Sequence, residues 1–208
     1  MTPDEFAAAA DVSRETLGRL RRYAELLVHW NRRINLVGHG TLRDLWRRHM
    51  LDSAQLYPLI ADPQAPLLDL GSGAGFPGLV LAAMGATDVH LIESDRRKCA
   101  FLGEAARAIG VSVAIHPERI EDVAPFIAAT IVSRALAPLP ELLDLAFNFS
   151  NEHSILLFLK GRTVDQELTK AQKEWSMRVD QIPSRTDPQG TILRLEAISR
   201  ALHATPNT

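Results

Sequence analysis

Leu67-Leu68-Asp69-Leu70-Gly71-Ser72-Gly73-Ala74-Gly75-Phe76-Pro77-Gly78 runs from a short, mostly apolar segment into a glycine-rich turn and then into a helical stretch opened by Pro77-Gly78-Leu79. In a strand, turn and helix of this kind the missing Cβ atoms permit positive φ and let a ligand approach the backbone. Gly73-x-Gly75-x-x-Gly78 has the spacing of a dinucleotide fingerprint, and Glu93, about 20 residues on at a predicted strand end, is placed to accept from ribose hydroxyls. The turn predicts a nucleotide-like ligand without fixing which one. A pyrophosphate favours amide donors and would be repelled by a carboxylate in the same turn. Asp69 stands before Gly71, where it suits a ligand carrying an ammonium or sulfonium group. Once the sheet is built, too little chain remains for the second domain a dehydrogenase usually carries. Both points favour S-adenosylmethionine over NAD.

On either side of this turn the pattern sorts into two regions. After Pro66, short apolar runs at 67–70, 89–92, 111–115, 131–133 and 155–159 alternate with helical stretches at 79–84, 96–109, 121–126, 140–149 and 164–174. That alternation predicts an α/β fold with a mostly parallel sheet. Two further strands, 177–182 and 191–197, flank the turn-rich segment 183–190 and predict a closing antiparallel hairpin. The first sixty residues read instead as helices. Thr2-Pro3-Asp4-Glu5 fits a capping box for a helix to about Ala10. Ser13 caps a second helix, in which Leu17, Leu20, Ala24 and Leu27 share one buried stripe and Arg14, Arg21, Arg22 and Glu25 lie outside. Residues 35–40 end that stretch, and one further helix is expected from Thr41 through Leu42, Leu45, Trp46 and His49 toward Tyr57. The expected organisation is a helical extension, residues 1–60, packed on a ligand-binding domain, residues 61–208.

Composition narrows the function classes. Of 208 residues, 46% are hydrophobic and 23% charged, which argues against disorder and for an ordinary core. No apolar run is long enough to span a bilayer, and the acidic start Met1-Thr2-Pro3-Asp4-Glu5 does not resemble a signal peptide, so a cytoplasmic protein is expected. The single cysteine, Cys99, excludes an internal disulfide and a multi-cysteine metal cage, and reads as a small buried hydrophobe. The net charge of −2 argues against a polyanionic partner until it is resolved along the chain. Between Arg14 and His49 nine arginines face three acids, a surplus of six, which leaves a deficit of eight elsewhere. Such asymmetry points to a localised anionic partner, although arginines on solvated helix faces would give the same count.

The run from Asp69 to Gly78 resembles the cofactor motif of class I methyltransferases, in the form found in the bacterial ribosomal RNA small subunit methyltransferase G family, also called glucose-inhibited division protein B. Asn31-Arg32-Arg33-Ile34-Asn35-Leu36, Arg48-His49-Met50-Leu51-Asp52-Ser53, Ser133-Arg134-Ala135 and Leu159-Lys160-Gly161 resemble the family's other signatures in order and spacing. Val37 departs from a frequent threonine, and the end beyond Thr191 is less basic than in many relatives. The resemblance implies a Rossmann-like methyltransferase sheet that transfers methyl from S-adenosylmethionine to nitrogen 7 of one guanine in 16S ribosomal RNA, near the decoding region. It implies that Gly71 and Phe76 line the cofactor, that Ile120 and Glu121 hold its adenine, and that Arg134 also sits at that site.

With Asp69, Gly73 and Gly75 from the turn and Glu93 from the later strand end, these complete the expected cofactor set. Ring nitrogen 7 of guanine carries a lone pair and no hydrogen, so it needs no general base. No proton-transfer residue is assigned, and the histidines (29, 39, 49, 90, 116, 153, 203) read mostly as surface or loop residues without metal spacing. Arg32, Arg33, Arg43, Arg47, Arg48 and His49 are the expected RNA-facing edge, with Lys160 and Arg162 opposite. The expected partner is 16S ribosomal RNA or the small ribosomal subunit, bound by a monomer. Two other readings stay open from the residues: a methyltransferase of another RNA or of a small molecule, and an RNA-binding scaffold with a vestigial cofactor turn.

Overall fold

The computed structural model describes residues 1–201. β1 (Leu67–Leu70) is buried at every position, which a strand requires when helices cover both faces of its sheet. It pairs in parallel with β2 (Val89–Ile92) on one side and β4 (Thr130–Arg134) on the other. β3 (Ala114–His116) and β5 (Ile155–Lys160) extend the parallel part, and β6 (Trp175–Pro183) and β7 (Thr191–Arg200) close it as an antiparallel hairpin, giving the order β3-β2-β1-β4-β5-β7-β6. The mostly parallel sheet with its closing hairpin agrees with the sequence expectation. The chain order reverses direction between β1 and β4, so their carboxyl ends frame the crevice where open α/β sheets bind ligands.

Helices α5 (Gly78–Met84) and α6 (Arg96–Ile109) cover one face together with α1 (Pro3–Ala10) and α2 (Arg14–Trp30); α7 (Leu139–Phe147) and α8 (Val164–Ala171) cover the other. The capping box forms as expected, with Glu5 N donating to Thr2 Oγ1 and Thr2 N to Glu5 Oε2. Ser13 caps α2, whose buried stripe is Leu17, Leu20, Tyr23, Ala24 and Leu27. That stripe joins one core with Leu79, Phe101 and Val132, so the amino-terminal helices share their interior with the sheet. Among the described residues no helix is long and apolar enough to cross a membrane.

Four local expectations are corrected. α2 stops at Trp30, before residues 35–40, because Asn31 is buried and its amide organises the following turn: Oδ1 accepts from Leu36 N and Val37 N, and Nδ2 donates to Val37 O. The single helix expected from Thr41 to Tyr57 is broken into α3 (His39–Leu42), a π-helical turn (Trp46–Leu51), α4 (Asp52–Ala54) and a 3₁₀ turn (Tyr57–Leu59). The wider π turn buries His49, Met50 and Leu51 in succession, three neighbours that an α-helix would spread over more than half its circumference. The helix expected at 121–126 is only a 3₁₀ turn, Ile120–Asp122, since Pro125 disfavours helical geometry in the residue before it. β3 begins later than expected because Val111 N is spent on Ala106 O, where the left-handed Gly110 ends α6.

Candidate functional site

The carboxyl ends of β1, β2 and β4 open onto a cleft of about 700 Å³. Its floor is the glycine turn, in which Gly71 has φ +68° and lies so close to Leu136 that a Cβ would sit 2.6 Å from the leucine Cδ1. Gly75, at φ +88°, leaves no room for a Cβ against Leu79 and the Tyr23 hydroxyl. Gly71, Ser72, Gly73, Ala74 and Phe76 line the cleft, and Gly75 does not. Gly75 serves instead to let α2 press Tyr23 under the turn, where the hydroxyl donates to Ala74 O.

Asp69 is likewise not at the cleft surface. The pleat directs its side chain below the turn, where it is fully buried and Oδ2 accepts from Gly78 N at 2.9 Å. It thus ties the turn to the first residue of α5 rather than facing a ligand's cationic tail, which corrects the direct contact expected from the sequence. Burial pushes its pKa up to about 7, against the pull of the Gly78 amide, and Oδ1 has no hydrogen-bond partner.

Glu93 ends β2 as expected and faces the turn. Its Oε2 accepts from Gly73 N at 2.9 Å and its Oε1 from Asp95 N at 2.8 Å, with Lys98 Nζ 3.9 Å away. Each carboxylate oxygen keeps a second lone pair, so the pinned group can still accept from a diol. Cys99 is only half-buried and donates to Glu93 O at 3.0 Å, a correction to its reading as a buried hydrophobe: it tethers the strand end that carries the acid. Ile120, buried, and Glu121, exposed, line the same cleft from the 3₁₀ turn after β3.

The opposite wall is a stack that the sequence did not reveal. Phe76 lies between Tyr23, 5.2 Å away by ring centroids, and His49, stacked at 5.0 Å and 26°. The Arg134 guanidinium stands 4.9 Å from the Phe76 centroid and donates to Arg48 O at 3.1 Å and to Asp52 Oδ2 at 3.5 Å. Burial lowers the Arg134 pKa from its ordinary value, with Asp52 opposing that shift. His49 is a correction to its place on the RNA-facing edge and among surface histidines, because it is buried at 7% exposure. The Thr41 hydroxyl donates its one proton to Gly38 O and must therefore accept from His49 Nε2–H, which leaves Nδ1 as a bare, buried acceptor. Burial first, then Arg134 and Arg48, lowers the His49 pKa to about 3, so the ring is neutral.

The remaining expected RNA contacts separate into two groups. Arg32, Arg33, Arg43 and Arg162 are exposed and enter no salt bridge among the described residues. Arg47 and Arg48 are exposed but lean on the tip of the β6–β7 hairpin, through Thr186 O and Asp187 respectively. Lys160 is corrected: its side chain is 8% exposed and is spent on Ala137 O at 2.7 Å and Glu167 at 2.9 Å. His203 lies outside the described residues. Sequence reasoning also missed Asp52 and the hairpin tip, which meet where Thr186 Oγ1 donates to Asp52 Oδ1 at 2.6 Å. No local pattern could have joined residues that far apart in the chain.

Comparison with known proteins bears on this arrangement. Residues 16–192 match the family model described as rRNA small subunit methyltransferase G. The chain is 57% identical to the ribosomal RNA small subunit methyltransferase G of Paramagnetospirillum magneticum, covering 96% of this chain and 98% of that one. It is 53% identical to the protein of that name in Rhodospirillum rubrum, covering 97% and 100%. Among solved structures, the magnesium protoporphyrin IX methyltransferase of Synechocystis, crystallised with bound SAM, superposes with a TM-score of 0.60 at 13% identity, over 89% of this chain and 97% of that one. At that identity the likeness concerns the fold.

Proposed function

The chain belongs to the rRNA small subunit methyltransferase G family, and from that premise we propose that its cleft holds S-adenosylmethionine against the glycine turn, with the target guanine entering beside Arg134. It is an S-adenosylmethionine-dependent methyltransferase whose substrate atom is nitrogen 7 of one guanine in 16S ribosomal RNA. The observation that carries the site assignment is the pairing of Glu93 with Gly73 N across a turn that has no Cβ atoms at Gly71 or Gly73.

The residues present fit the cofactor. Glu93 retains lone pairs for the ribose hydroxyls, and Ile120 offers an apolar face to the adenine, with Glu121 at its rim. Arg134 is the cation set into the wall beside Phe76, suited to the carboxylate of the amino-acid tail. Gly71, Gly73 and Phe76 complete the contacts, while Asp69 and Gly75 act by shaping the turn. When bound, S-adenosylmethionine supplies a methyl group activated by its sulfonium. Its acceptor on the RNA would be a ring nitrogen with a free lone pair and no hydrogen, so the transfer would leave its positive charge on the purine and ask for no proton acceptor. The chain's task is therefore orientation.

The exposed Arg32, Arg33, Arg43, Arg47, Arg48 and Arg162 supply phosphate contacts on this reading. Residues 1–60 serve as the RNA-facing extension of the cofactor-binding unit 61–208, which acts as a monomer in the cytoplasm, where its RNA substrate is found. The test is transfer of labelled methyl from S-adenosylmethionine to small-subunit RNA, followed by mapping of the modified base. Label at nitrogen 7 of a single guanine is expected; label confined to protein or small molecules would overturn the reading.

A further inference from the structure

The turn that follows β4 presents a side chain, Leu136, to which the cofactor contacts proposed above give no part. Ala135 sits at φ +54°, a region that costs a residue with a Cβ and persists only when its surroundings hold it. Those surroundings are specific. On one side the Ser133 hydroxyl donates to Leu70 O at 2.9 Å and Arg134 donates to Arg48 O. On the other, Lys160 donates to Ala137 O at 2.7 Å and Glu167 accepts from Leu139 N at 2.8 Å, while Lys160 and Glu167 pair at 2.9 Å. The product of this bracing is Leu136, a large apolar side chain left 38% exposed at the cleft. Leu136 also borders a second hollow of about 330 Å³, together with Ala135, Leu159 and Lys160, which line both.

We propose that Leu136 is the surface against which the target purine ring lies, and that Lys160 and Glu167 are positioning residues that hold it there. The inference rests on the guanine-N7 reading above and names the residue that orients the base. Nitrogen 7 attacks through a lone pair in the plane of the ring, and a hydrogen-bond donor aimed at that atom would occupy the lone pair. A contact on the ring face leaves it free. Leu136 has no donor, its side chain abuts Gly71 at the floor of the cofactor turn, and its exposed apolar area is of the kind a flat aromatic ring would cover. Lys160, expected from the sequence to meet phosphate, acts instead on the backbone of this turn.

The test compares Leu136→Ser, Leu136→Met and Lys160→Met with the wild-type enzyme on small-subunit RNA, measuring kcat and KM for RNA together with the S-adenosylmethionine Kd by calorimetry. Leu136→Ser is expected to lower kcat/KM for RNA by about tenfold or more. Its cofactor Kd should change by a much smaller factor than kcat/KM, and Leu136→Met should restore most of the activity. Lys160→Met should lower kcat with the cofactor Kd kept, and the Leu136→Ser/Lys160→Met double variant should be no worse than the poorer single one, since both act on one contact. Wild-type kcat/KM in Leu136→Ser, or a cofactor Kd weakened by the same factor as kcat/KM, would overturn the assignment. A wild-type protein that labels no ribosomal RNA would instead overturn the guanine-N7 reading, and the inference with it.

Discussion

His49 is part of the aromatic stack and Asp69 lies beneath the glycine turn, and burial shifts both toward their uncharged forms, with opposite consequences for stability. Asp69, raised from 3.8 to about 7, takes up a proton on folding between those values. Its contribution is complete below its unfolded pKa and is lost as pH rises through 7. His49, lowered from 6.5 to about 3, gives up a proton on folding. Its contribution is complete above 6.5 and is lost as pH falls toward 3. Each effect is on the order of a few kcal/mol, and across the interval between the two unfolded values they oppose one another. Asp69→Asn, which can still accept from Gly78 N, should therefore steepen the loss of stability in acid, because His49 is left unopposed. His49→Gln should do the reverse, raising stability relative to neutral pH as the pH falls from 7 to 4. Urea midpoints measured at several pH values across that interval check both; curves parallel to wild type would refute the account. The sequence identified Asp69 as important but assigned it the wrong neighbour. Its pattern shows a carboxylate next to a glycine turn, whereas only the pleat decides that the side chain meets α5 from below.

The hairpin of β6 and β7 shows where pattern reading stops. Its strands were readable because alternation and a turn-rich connection are local signals, as were β1, the glycine turn and α6, whose bounds match the expected 96–109. Its tip, however, forms part of the cleft wall through bonds to residues more than 120 positions earlier: Thr186 to Asp52, Arg185 N to Gln55 Oε1, and Arg47 to Thr186 O. The π turn was hidden for a related reason, since a period of 3.6 residues does not allow three successive buried side chains on one helix face. Asp52 links the tip to Arg134, so the hairpin helps to order a residue of the proposed cofactor site through an intermediary. Thr186→Val is expected to cost about 1.5–3 kcal/mol, as for a hydrogen bond to a charged acceptor, and to weaken S-adenosylmethionine binding several-fold by freeing Arg134. Thr186→Ser should restore both. Thermal melts and calorimetry would check this, and a stability loss with unaltered cofactor affinity would separate the tip from the site.

For the molecule as a whole, the charge distribution decides how RNA and cofactor can be told apart by experiment. The segment from Asn31 to Thr41 gives the cleft Leu36, Val37, Gly38 and Thr41, and it carries Arg32 and Arg33 on its outer side, with Arg43 just beyond. Exposed cations on this segment can meet phosphates without reaching the cofactor proposed against the glycine turn. Arg47 and Arg48 are poorer probes of RNA binding, because removing them also undoes contacts to the hairpin tip and so disturbs Asp52 and Arg134. The clean substitution is Arg32, Arg33 and Arg43 together to Ala. Each lost phosphate contact should reduce the slope of log affinity against log salt by about 0.7–0.9, so the triple variant should bind small-subunit RNA more weakly at low salt and with a slope shallower by about 2. Its S-adenosylmethionine affinity should equal wild type, since none of the three lines the cleft. Filter binding across a salt series, with calorimetry for the cofactor, measures both quantities. An unchanged slope would move the RNA path away from this segment and toward the exposed Arg162. A fall in cofactor affinity would mean that the amino-terminal segment shapes the cofactor turn more directly than through Tyr23.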